Sequence, residues 1–196
     1  MKHYYVSSKG EYAENPSFLQ TFARKIGKLN RKSARQKKGS NRREKTKISL
    51  QKIYQKLRRK RSDYLHKLTH KIIAENSIIL VENLQLKNMT KSAKGTVEQP
   101  GKNVKQKSGL NRVLLDLSVN EFVRQLEYKS RWYGRELIKV NPAYTSQTCS
   151  NCGYVAKENR KSQSEFSCAR CGHSENADYN AAKNILGRGL SCYREC

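Results

Sequence analysis

Four of the six cysteines fall into two pairs with the spacing of metal ligands. Two residues separate the cysteines within each pair, and fifteen residues separate one pair from the other. The pairs are Cys149 with Cys152 and Cys168 with Cys171. Four thiolates at this spacing are typical of a zinc ribbon, in which one Zn²⁺ holds two short turns together. A glycine follows each pair, and a positive φ at Gly153 and Gly172 would aim backbone N–H groups at the sulfur atoms.

Two disulfide bonds, or four cysteines packed in a small core, are the alternatives to a metal. The first residues, Met1 to Tyr5, contain no apolar segment of a secretion signal, and the longest aliphatic run, Ile78 to Val81, is too short to span a membrane. We therefore expect a cytoplasmic chain with reduced cysteines and no membrane partner. A second metal site at Cys192 and Cys196 would lack two ligands, so we expect residues 187–196 to form a frayed tail.

Two acidic residues are candidates for chemistry because each lies at the end of a predicted element. Asp178 opens a helix that apolar residues at helical spacing predict over residues 176–186. Glu82 ends the aliphatic run 77–81, which predicts a central strand buried on both faces with a functional residue at its carboxyl end. Each acid also has an ordinary explanation, since Asp178 would be favoured by the helix dipole and Glu82 would solubilise a strand end. The residue pattern alone leaves both explanations open.

The net charge indicates a polyanionic partner. The chain has 41 lysine and arginine residues against 16 aspartate and glutamate residues, a formal charge of +25 over 196 residues. Such a chain attracts nucleic acid, and it repels itself when nothing neutralises it. A membrane surface is the other candidate, but no basic helix carries a bulky apolar face beside a lipidation signal. With 36% hydrophobic residues, the chain suffices for one modest domain and a small module.

Most of this charge lies in a predicted helical hairpin over residues 18–76. Apolar residues at helical spacing form one stripe from Phe18 to Leu29 and another from Ile53 to Ile72. Residues 24–61 hold eighteen lysine or arginine residues against one acid, Glu44. Charge of this density is a solvated face in many proteins, but here we interpret it as a surface for a nucleic-acid backbone. The expected contacts are Arg24, Lys28, Arg31, Arg35, Arg42, Arg43, Arg58, Arg59 and Arg61.

The remaining segments predict a mixture of helices and strands. Residues 1–17 contain a short strand, Tyr4 to Ser7, followed by a turn at Lys9 and Gly10. Residues 91–108 contain two glycines, one proline and many lysines without periodicity, which predicts a flexible loop. A helix from Asn111 to Gly134 and a strand from Glu136 to Val140 follow.

Several separated motifs resemble the TnpB family, which comprises transposon-encoded, RNA-guided DNA nucleases related to the type V CRISPR effectors. The motifs are the run from Tyr144 to Gly153, the second cysteine pair, the run Asn-Ala-Asp-Tyr-Asn-Ala-Ala-Lys-Asn at 176–184, and the run Ile-Leu-Val-Glu-Asn-Leu at 79–84. The resemblance extends from about Tyr4 to about Leu186 and concerns only the C-terminal half of the family.

The resemblance implies an α/β fold with an incomplete RNase H-like (RuvC) domain, a basic helical hairpin insertion and a C-terminal zinc ribbon. The implied segments are 1–17 as a remnant of the sheet, 18–76 as the hairpin, 77–144 as the RuvC-like segment with its loop at 91–108, 145–175 as the ribbon, 176–186 as the last RuvC helix and 187–196 as the tail. In this family the hairpin lines the channel that holds guide RNA and target DNA.

The resemblance further implies that Glu82 and Asp178 are two of three catalytic acids, which together hold Mg²⁺ for phosphodiester hydrolysis. The first acid of the family is an aspartate on a preceding strand, and no counterpart precedes Glu11. Asp116 is no replacement, because it matches a non-catalytic helical position. We therefore expect the chain to be inactive alone, with Zn²⁺ as a structural metal and Mg²⁺ bound only once the site is completed.

Two functional hypotheses result. In the first, the chain is the nucleic-acid-binding C-terminal part of a TnpB-like RNA-guided DNA endonuclease. In the second, it is a non-catalytic accessory or regulatory protein derived from TnpB, which binds guide RNA and DNA, a longer TnpB chain or a second copy of itself. A DNA-strand transferase is a weaker third hypothesis, because the resemblance is to a guided nuclease.

Overall fold

The computed structural model describes residues 3–194, apart from the side chains of Cys192 and Arg194. Two compact units form, one from Met1–Asn15, Glu75–Lys91 and Leu126–Cys196, the other from Pro16–Ala74 and Ser92–Gln125. The helices are α1 (Phe18–Arg35), α2 (Asn41–Glu75), α3 (Leu86–Met89), α4 (Val104–Leu117), α5 (Val119–Trp132) and α6 (Ala177–Arg194). The strands are β1 (His3–Val6), β2 (Tyr12–Glu14), β3 (Ile78–Glu82), β4 (Glu136–Val140), β5 (Glu165–Ser167) and β6 (Ser174–Asn176). The predicted α/β class is confirmed.

The unit formed by Pro16–Ala74 and Ser92–Gln125 contains the predicted hairpin of α1 and α2. Phe22 and Ile26 of α1 are buried against Leu57 of α2, which removes the apolar stripe of each helix from water. Farther along α2, the buried Thr69 hydroxyl lies 3.2 Å from the Oε1 atom of the fully buried Gln125. A polar pair in this position is satisfied inside the core and fixes how the helices align.

Asp116 has a structural role in the same unit. One carboxylate oxygen accepts a hydrogen bond of 3.0 Å from the Leu19 backbone N–H, and the other is paired with the Arg61 guanidinium. Leu19 lies in the first turn of α1, where backbone N–H groups lack helical partners, and the preceding Ser17 gives no side-chain cap. Asp116 therefore caps α1 from a distant helix, in agreement with its interpretation as non-catalytic.

The segment between β3 and β4 differs from the prediction. Helix α4 begins at Val104, inside the predicted flexible loop, and the predicted helix 111–134 is two helices that break at Ser118. Ser118 has a φ of 52° and ends α4, while its carbonyl accepts the Glu121 and Phe122 N–H groups at the start of α5. The early turns of α4 are polar and give no periodic signal. The sequence does not predict the break between α4 and α5, because a single residue in the left-handed conformation barely changes the helical spacing of the apolar residues.

The other unit contains three two-stranded sheets among its described residues. β1 and β2 pair antiparallel around the predicted turn at Gly10, whose φ is 82°. β3 and β4 pair parallel, with Glu82 opposite Val140. β5 and β6 pair antiparallel and flank the second cysteine pair. The prediction that β3 is central and buried on both faces is wrong for the described chain, because β3 has β4 as its strand partner and only Ile79 within it is fully buried.

Helix α6 continues past the predicted end at Leu186. It runs to Arg194 and packs against β3 and β4, so the expected frayed tail is wrong for residues 187–194. Gly189 explains the packing, since a Cβ there would lie 2.1 Å from the Leu80 side chain. The side chain of Cys192 and the whole of Cys196 lie outside the described residues. None of the described helices is long and apolar enough to cross a membrane.

Two glycines in α6 give a matched test of this packing. Gly189 is buried against Leu80, whereas Gly187 is exposed and has open space at the Cβ position. Gly187→Ala should raise the free energy of unfolding by about 1 kcal/mol, because alanine restricts the unfolded chain and favours the helix. Gly189→Ala gains the same propensity term but should cost about 1–3 kcal/mol through overpacking. Denaturant unfolding of both variants measures the difference, and equal stabilisation by both would contradict the packing of α6 on β3.

Candidate functional site

The four predicted cysteines converge in one cluster. All four sulfur atoms lie within 4.8 Å of one another. Cys149 Sγ lies 3.7 Å from Cys171 Sγ, and Cys152 Sγ lies 3.6 Å from Cys168 Sγ. Disulfide bonding would require about 2.05 Å between sulfurs, whereas four sulfurs at about 2.3 Å from a tetrahedral ion lie about 3.8 Å apart. The donor set therefore fits a single metal ion, and the disulfide alternative is contradicted.

Both cysteine pairs are built by the same backbone turn. In the first, the Cys149 N–H donates to the Tyr154 carbonyl and the Gly153 N–H donates to the Cys149 carbonyl, each at 2.9 Å. The second turn repeats this pattern over residues 168–173, with distances of 2.8 and 3.1 Å. The φ angles of Gly153 and Gly172 are 73° and 71°, which confirms the predicted positive φ at both glycines.

Backbone N–H groups aim at the sulfur atoms and change the pKa of the thiols. The His173 N–H lowers the pKa of Cys171 to about 6. At Cys168, burial raises the pKa, but hydrogen bonds from the N–H groups of Cys171 and Arg170 lower it by a larger amount. The net shift of the Cys168 pKa is therefore downward. The Tyr154 N–H lowers the pKa of Cys152, but desolvation and the neighbouring sulfurs raise it to about 12. The shifts are opposite because hydrogen bonds between the sulfur atoms raise the pKa of Cys152, which keeps its proton, and lower the pKa of Cys171, which accepts the hydrogen bond as a thiolate.

One buried asparagine joins the two cysteine turns. Asn159 is fully buried, and its Nδ2 donates to the carbonyls of Gln147 and Tyr154 at 3.0 and 3.2 Å. Its Oδ1 accepts from the Ala169 N–H at 3.0 Å. The side chain therefore satisfies backbone groups of both turns at once and sets their separation.

Two further asparagines attach α6 to the first cysteine turn. Asn180 is fully buried, accepts from the Ser150 N–H at 2.9 Å and donates to the Thr148 carbonyl at 2.8 Å. Asn184 donates to the carbonyls of Thr145 and Thr148 at 2.9 and 2.7 Å. Their spacing of four residues places both on one face of α6. The helix is thus held to the ribbon through backbone groups beside Cys149.

Glu175 joins both turns to α6 through its carboxylate. Oε1 accepts a hydrogen bond from Ser150 Oγ at 2.8 Å and lies 3.0 Å from His173 Nε2, and Oε2 accepts from Lys183 Nζ at 2.6 Å. Burial raises the pKa of Glu175, but the contacts with Lys183, His173 and Ser150 lower it by a larger amount. The net shift is downward, so the carboxyl group stays ionised. Lys183 also lies over the Tyr179 ring, 4.1 Å from its centroid.

Glu82 lies at the end of β3, as predicted, and contacts the start of the ribbon segment. Its Oε1 accepts a hydrogen bond of 2.8 Å from Thr145 Oγ1. Thr145 is 3% exposed, so water has little access to this contact. Because the Thr145 carbonyl also accepts from Asn184, a continuous set of hydrogen bonds links β3, the ribbon and α6.

Asp178 lies in the first turn of α6, as predicted. The cap of that helix is Asn176, whose Oδ1 accepts from the N–H groups of Asp178 and Tyr179 at 3.0 and 3.2 Å. The Asp178 carboxylate lies 3.7 Å from the Arg160 guanidinium and is 45% exposed. Within residues 3–194, the cysteines are the only group of three or more His, Cys, Asp or Glu residues close enough to share a metal. Among residues 3–194, Glu82 and Asp178 therefore belong to no such group of three.

Most of the predicted nucleic-acid contacts are exposed. Arg43 is half-buried and donates to the Gln36 carbonyl at the end of α1, and Arg61 is paired with Asp116, so both side chains have structural partners. On α1 the basic residues recur every three or four positions and form one stripe, opposite the buried Phe22. The exposed members of the predicted set are Arg24, Lys28, Arg31, Arg35, Arg42, Arg58 and Arg59.

Sequence reasoning missed several polar residues of the site. Thr145, Asn180 and Asn184 belong to the motifs that carry the family resemblance, and their fixed spacing from Cys149 and Asp178 was a usable signal. Other contributors lie in segments without any periodic or motif signal, and only the fold reveals their partners. These are Arg160, Asn159 and Glu175.

Comparisons with known proteins identify the fold first. The chain superposes on Cas12f1 in a cryo-EM structure of the Cas12f1–sgRNA–target DNA complex with a TM-score of 0.58 and 24% identity, covering 89% of this chain and 43% of that one. The family described as "Cas12f1-like, TNB domain" matches residues 120–185, and the family OrfB_IS605, described as "Probable transposase", matches residues 1–93. The fold of this chain is therefore α/β and similar to part of the Cas12-type effectors.

Sequence relatives identify the family. The chain is 46% identical over 188 residues to "Putative RNA-guided DNA endonuclease InsQ" of Escherichia coli, covering 94% of this chain and 47% of the relative. It is 43% identical over 75 residues to the CRISPR-associated endodeoxyribonuclease Cas12f1 of Sulfoacidibacillus thermotolerans, covering 38% of this chain and 18% of the relative. The chain belongs to the TnpB (OrfB_IS605) family and is homologous to the type V Cas12f1 effectors. It spans about half the length of InsQ.

The cysteine cluster predicts one bound metal ion per chain. Metal analysis of the purified protein should give a ratio of about one ion per chain, because four convergent thiols form one tetrahedral site. Cys149→Ser should lose the metal, since it removes a buried ligand. Cys192→Ser is the matched control and should retain it. Metal loss in the Cys192 variant, or a metal-free parent, would contradict the assignment.

Proposed function

We propose that the chain is the nucleic-acid-binding part of a TnpB-like RNA-guided DNA endonuclease, with guide RNA and target DNA as its partners. The observation that carries the proposal is the stripe of exposed basic side chains on α1, opposite the buried Phe22 and Ile26, together with the exposed Arg42, Arg58 and Arg59 on α2. The basic side chains on this surface repel one another, and a phosphate backbone relieves that repulsion because it supplies anions in a regular row. Contacts of this kind read backbone shape and leave sequence to base pairing with the guide.

In this proposal the ribbon metal is Zn²⁺ and its role is structural. Four thiolates select a soft, tetrahedral ion, and a closed set of four ligands leaves no position for water or substrate. Metal binding would supply folding energy to a segment whose buried apolar cluster consists of Cys149, Phe166, Cys168 and Ala177. The ribbon then serves as a rigid support for α6 and for the end of β3.

Glu82 and Asp178 are proposed as catalytic acids of a RuvC-type site. Carboxylate oxygens suit Mg²⁺, which supplies water activation and leaving-group stabilisation in phosphodiester hydrolysis when it is bound. Thr145 and Asn184 hold the strand and the helix that carry the two acids. Because Glu82 and Asp178 belong to no group of three potential metal ligands among the described residues, we propose that cleavage needs a further acid and that the chain alone does not cut DNA.

A non-catalytic accessory protein that keeps the family's binding surface is the second candidate. The observation that favours it is the position of Arg160, whose guanidinium lies 3.7 Å from Asp178 and partly neutralises that carboxylate without a metal. In this case the chain would bind guide RNA and DNA, or a longer TnpB chain, without cutting.

A salt titration tests the nucleic-acid surface. With an RNA–DNA hybrid as the probe, log affinity should fall linearly with log salt concentration, because each phosphate contact releases a counterion. The double variant Arg58→Gln/Arg59→Gln should flatten the slope by about 1–2, since two exposed charges on α2 are lost. Fluorescence anisotropy over a range of salt concentrations measures both slopes.

The matched control is Lys47→Gln/Lys67→Gln, which removes two charges from the same helix. These lysines already pair with Glu44 and Asp63 at 2.6 and 2.8 Å, so their loss should change the slope less. Equal slopes for the parent and the Arg58/Arg59 variant would show that the hairpin is a solvated face and not a binding surface. An equal change of slope in both double variants would lead to the same conclusion.

A complementation experiment tests the nuclease proposal. The chain with Mg²⁺ and guide RNA should not cleave target DNA, because two divalent ions repel strongly unless enough carboxylates surround them. Fusing the N-terminal half of a longer relative before Met1 should produce cleavage, which Glu82→Gln or Asp178→Asn should abolish. Guide-dependent cleavage by the unfused chain would overturn the claim of inactivity. Binding without cleavage by a correctly folded fusion would favour the accessory protein.

A further inference from the structure

Thr145 is the hydrogen-bond donor to Glu82 within the described chain. Its hydroxyl lies 2.8 Å from Glu82 Oε1 and 3.0 Å from the Pro142 carbonyl. A hydroxyl carries one proton and can donate to only one of these acceptors at a time. The carboxylate contact is shorter and charge-assisted, so it takes the proton. This arrangement engages Oε1 and leaves Oε2 without a donor among residues 3–194, available to a cation.

The ribbon holds Thr145 in place. Its backbone carbonyl accepts from Asn184 of α6, and Asn184 donates also to the Thr148 carbonyl, one residue before Cys149. Thr145 is 3% exposed, and its N–H lies 3.4 Å from the Pro142 carbonyl in a tight turn. The position of the hydroxyl thus depends on the same backbone that carries the first metal-ligand pair.

We propose that Thr145 is a positioning residue for Glu82 and that it transmits the order of the cysteine ribbon to this carboxylate. The inference rests on the proposed function, in which Glu82 is a catalytic acid. A glutamate side chain has three rotatable bonds, and an unrestrained carboxylate at a strand end samples many orientations. One hydrogen bond from a buried, backbone-fixed hydroxyl selects the orientation in which Oε2 stays open. In metal sites such supporting hydrogen bonds typically contribute 10–100-fold to metal affinity or activity.

The experiment follows the Glu82 carboxyl carbon by NMR in protein labelled with ¹³C-glutamate, assigned with Glu82→Gln. Thr145→Val, which keeps the side-chain shape and removes the hydroxyl, should shift this resonance. Thr145→Ser, which retains the hydroxyl, should leave it near the parent position. Thr148→Val is the matched control, because the Thr148 hydroxyl donates to the Tyr144 carbonyl at 2.8 Å and not to Glu82. A Glu82 resonance unchanged in Thr145→Val, or equally shifted in Thr148→Val, would overturn the proposal.

A measurement on the unmodified protein covers the case in which Thr145→Val does not fold. The buried Thr145 hydroxyl proton should exchange slowly with water and show a nuclear Overhauser contact to the γ protons of Glu82. Absence of this nuclear Overhauser contact would also overturn the proposal.

Manganese binding separates this inference from the proposed function. In the completed fusion, Mn²⁺ should broaden amide resonances around Glu82, and Thr145→Val should weaken this binding on the order of tenfold, with the ribbon metal content unchanged. Equal Mn²⁺ affinity in the parent and in Thr145→Val would refute the positioning role and leave the nuclease proposal intact. If the Glu82 resonance depends on Thr145 but no Mn²⁺ binds near it in the completed fusion, the positioning stands and the nuclease proposal fails.

Discussion

The hydrogen bonds of three asparagine side chains hold the site together. The ribbon has few apolar residues to bury, so its buried backbone groups need polar partners inside the protein. Asn159 satisfies three such groups and joins the two cysteine turns, while Asn180 and Asn184 join the first turn to α6. Removing one of these amides would leave several buried groups unpaired, each at a cost of about 1–3 kcal/mol. Metal ligation and the contact to Glu82 both depend on this backbone.

Charge and chemistry are segregated between the two units. The unit with α1 and α2 carries the exposed arginines of the predicted set, and an ion pair at low exposure, Arg61 with Asp116, lies beside the cap of α1. The other unit carries the cysteines and both proposed catalytic acids. Glu121, on the first turn of α5, shows the effect of a close arginine, since hydrogen bonds from Arg124 contribute most to lowering its pKa to about 2.

Local patterns in the sequence predicted the elements that carry the site. The cysteine spacing, the apolar stripes of the hairpin and the aliphatic run before Glu82 are short-range signals, and each corresponds to the structure. The start of α4 and the break at Ser118 were missed because neither changes the apolar periodicity. The continuation of α6 depends on Gly189 meeting Leu80, a contact between residues far apart in sequence. Asn159 was missed for the same reason, since its role depends on partners that only the fold brings near.

The burial pattern of β3 bears on how Glu82 is presented at the end of that strand. Its residues Ile78 to Val81 are all aliphatic, yet only Ile79 is fully buried, and β4 provides its strand partner within the described chain. An aliphatic strand with an open edge favours pairing with another strand, which would bury the half-exposed side chains and satisfy the free backbone groups. Glu82 ends this strand, so an added neighbour would place its own carboxyl-terminal residue beside Glu82 if the two ran parallel.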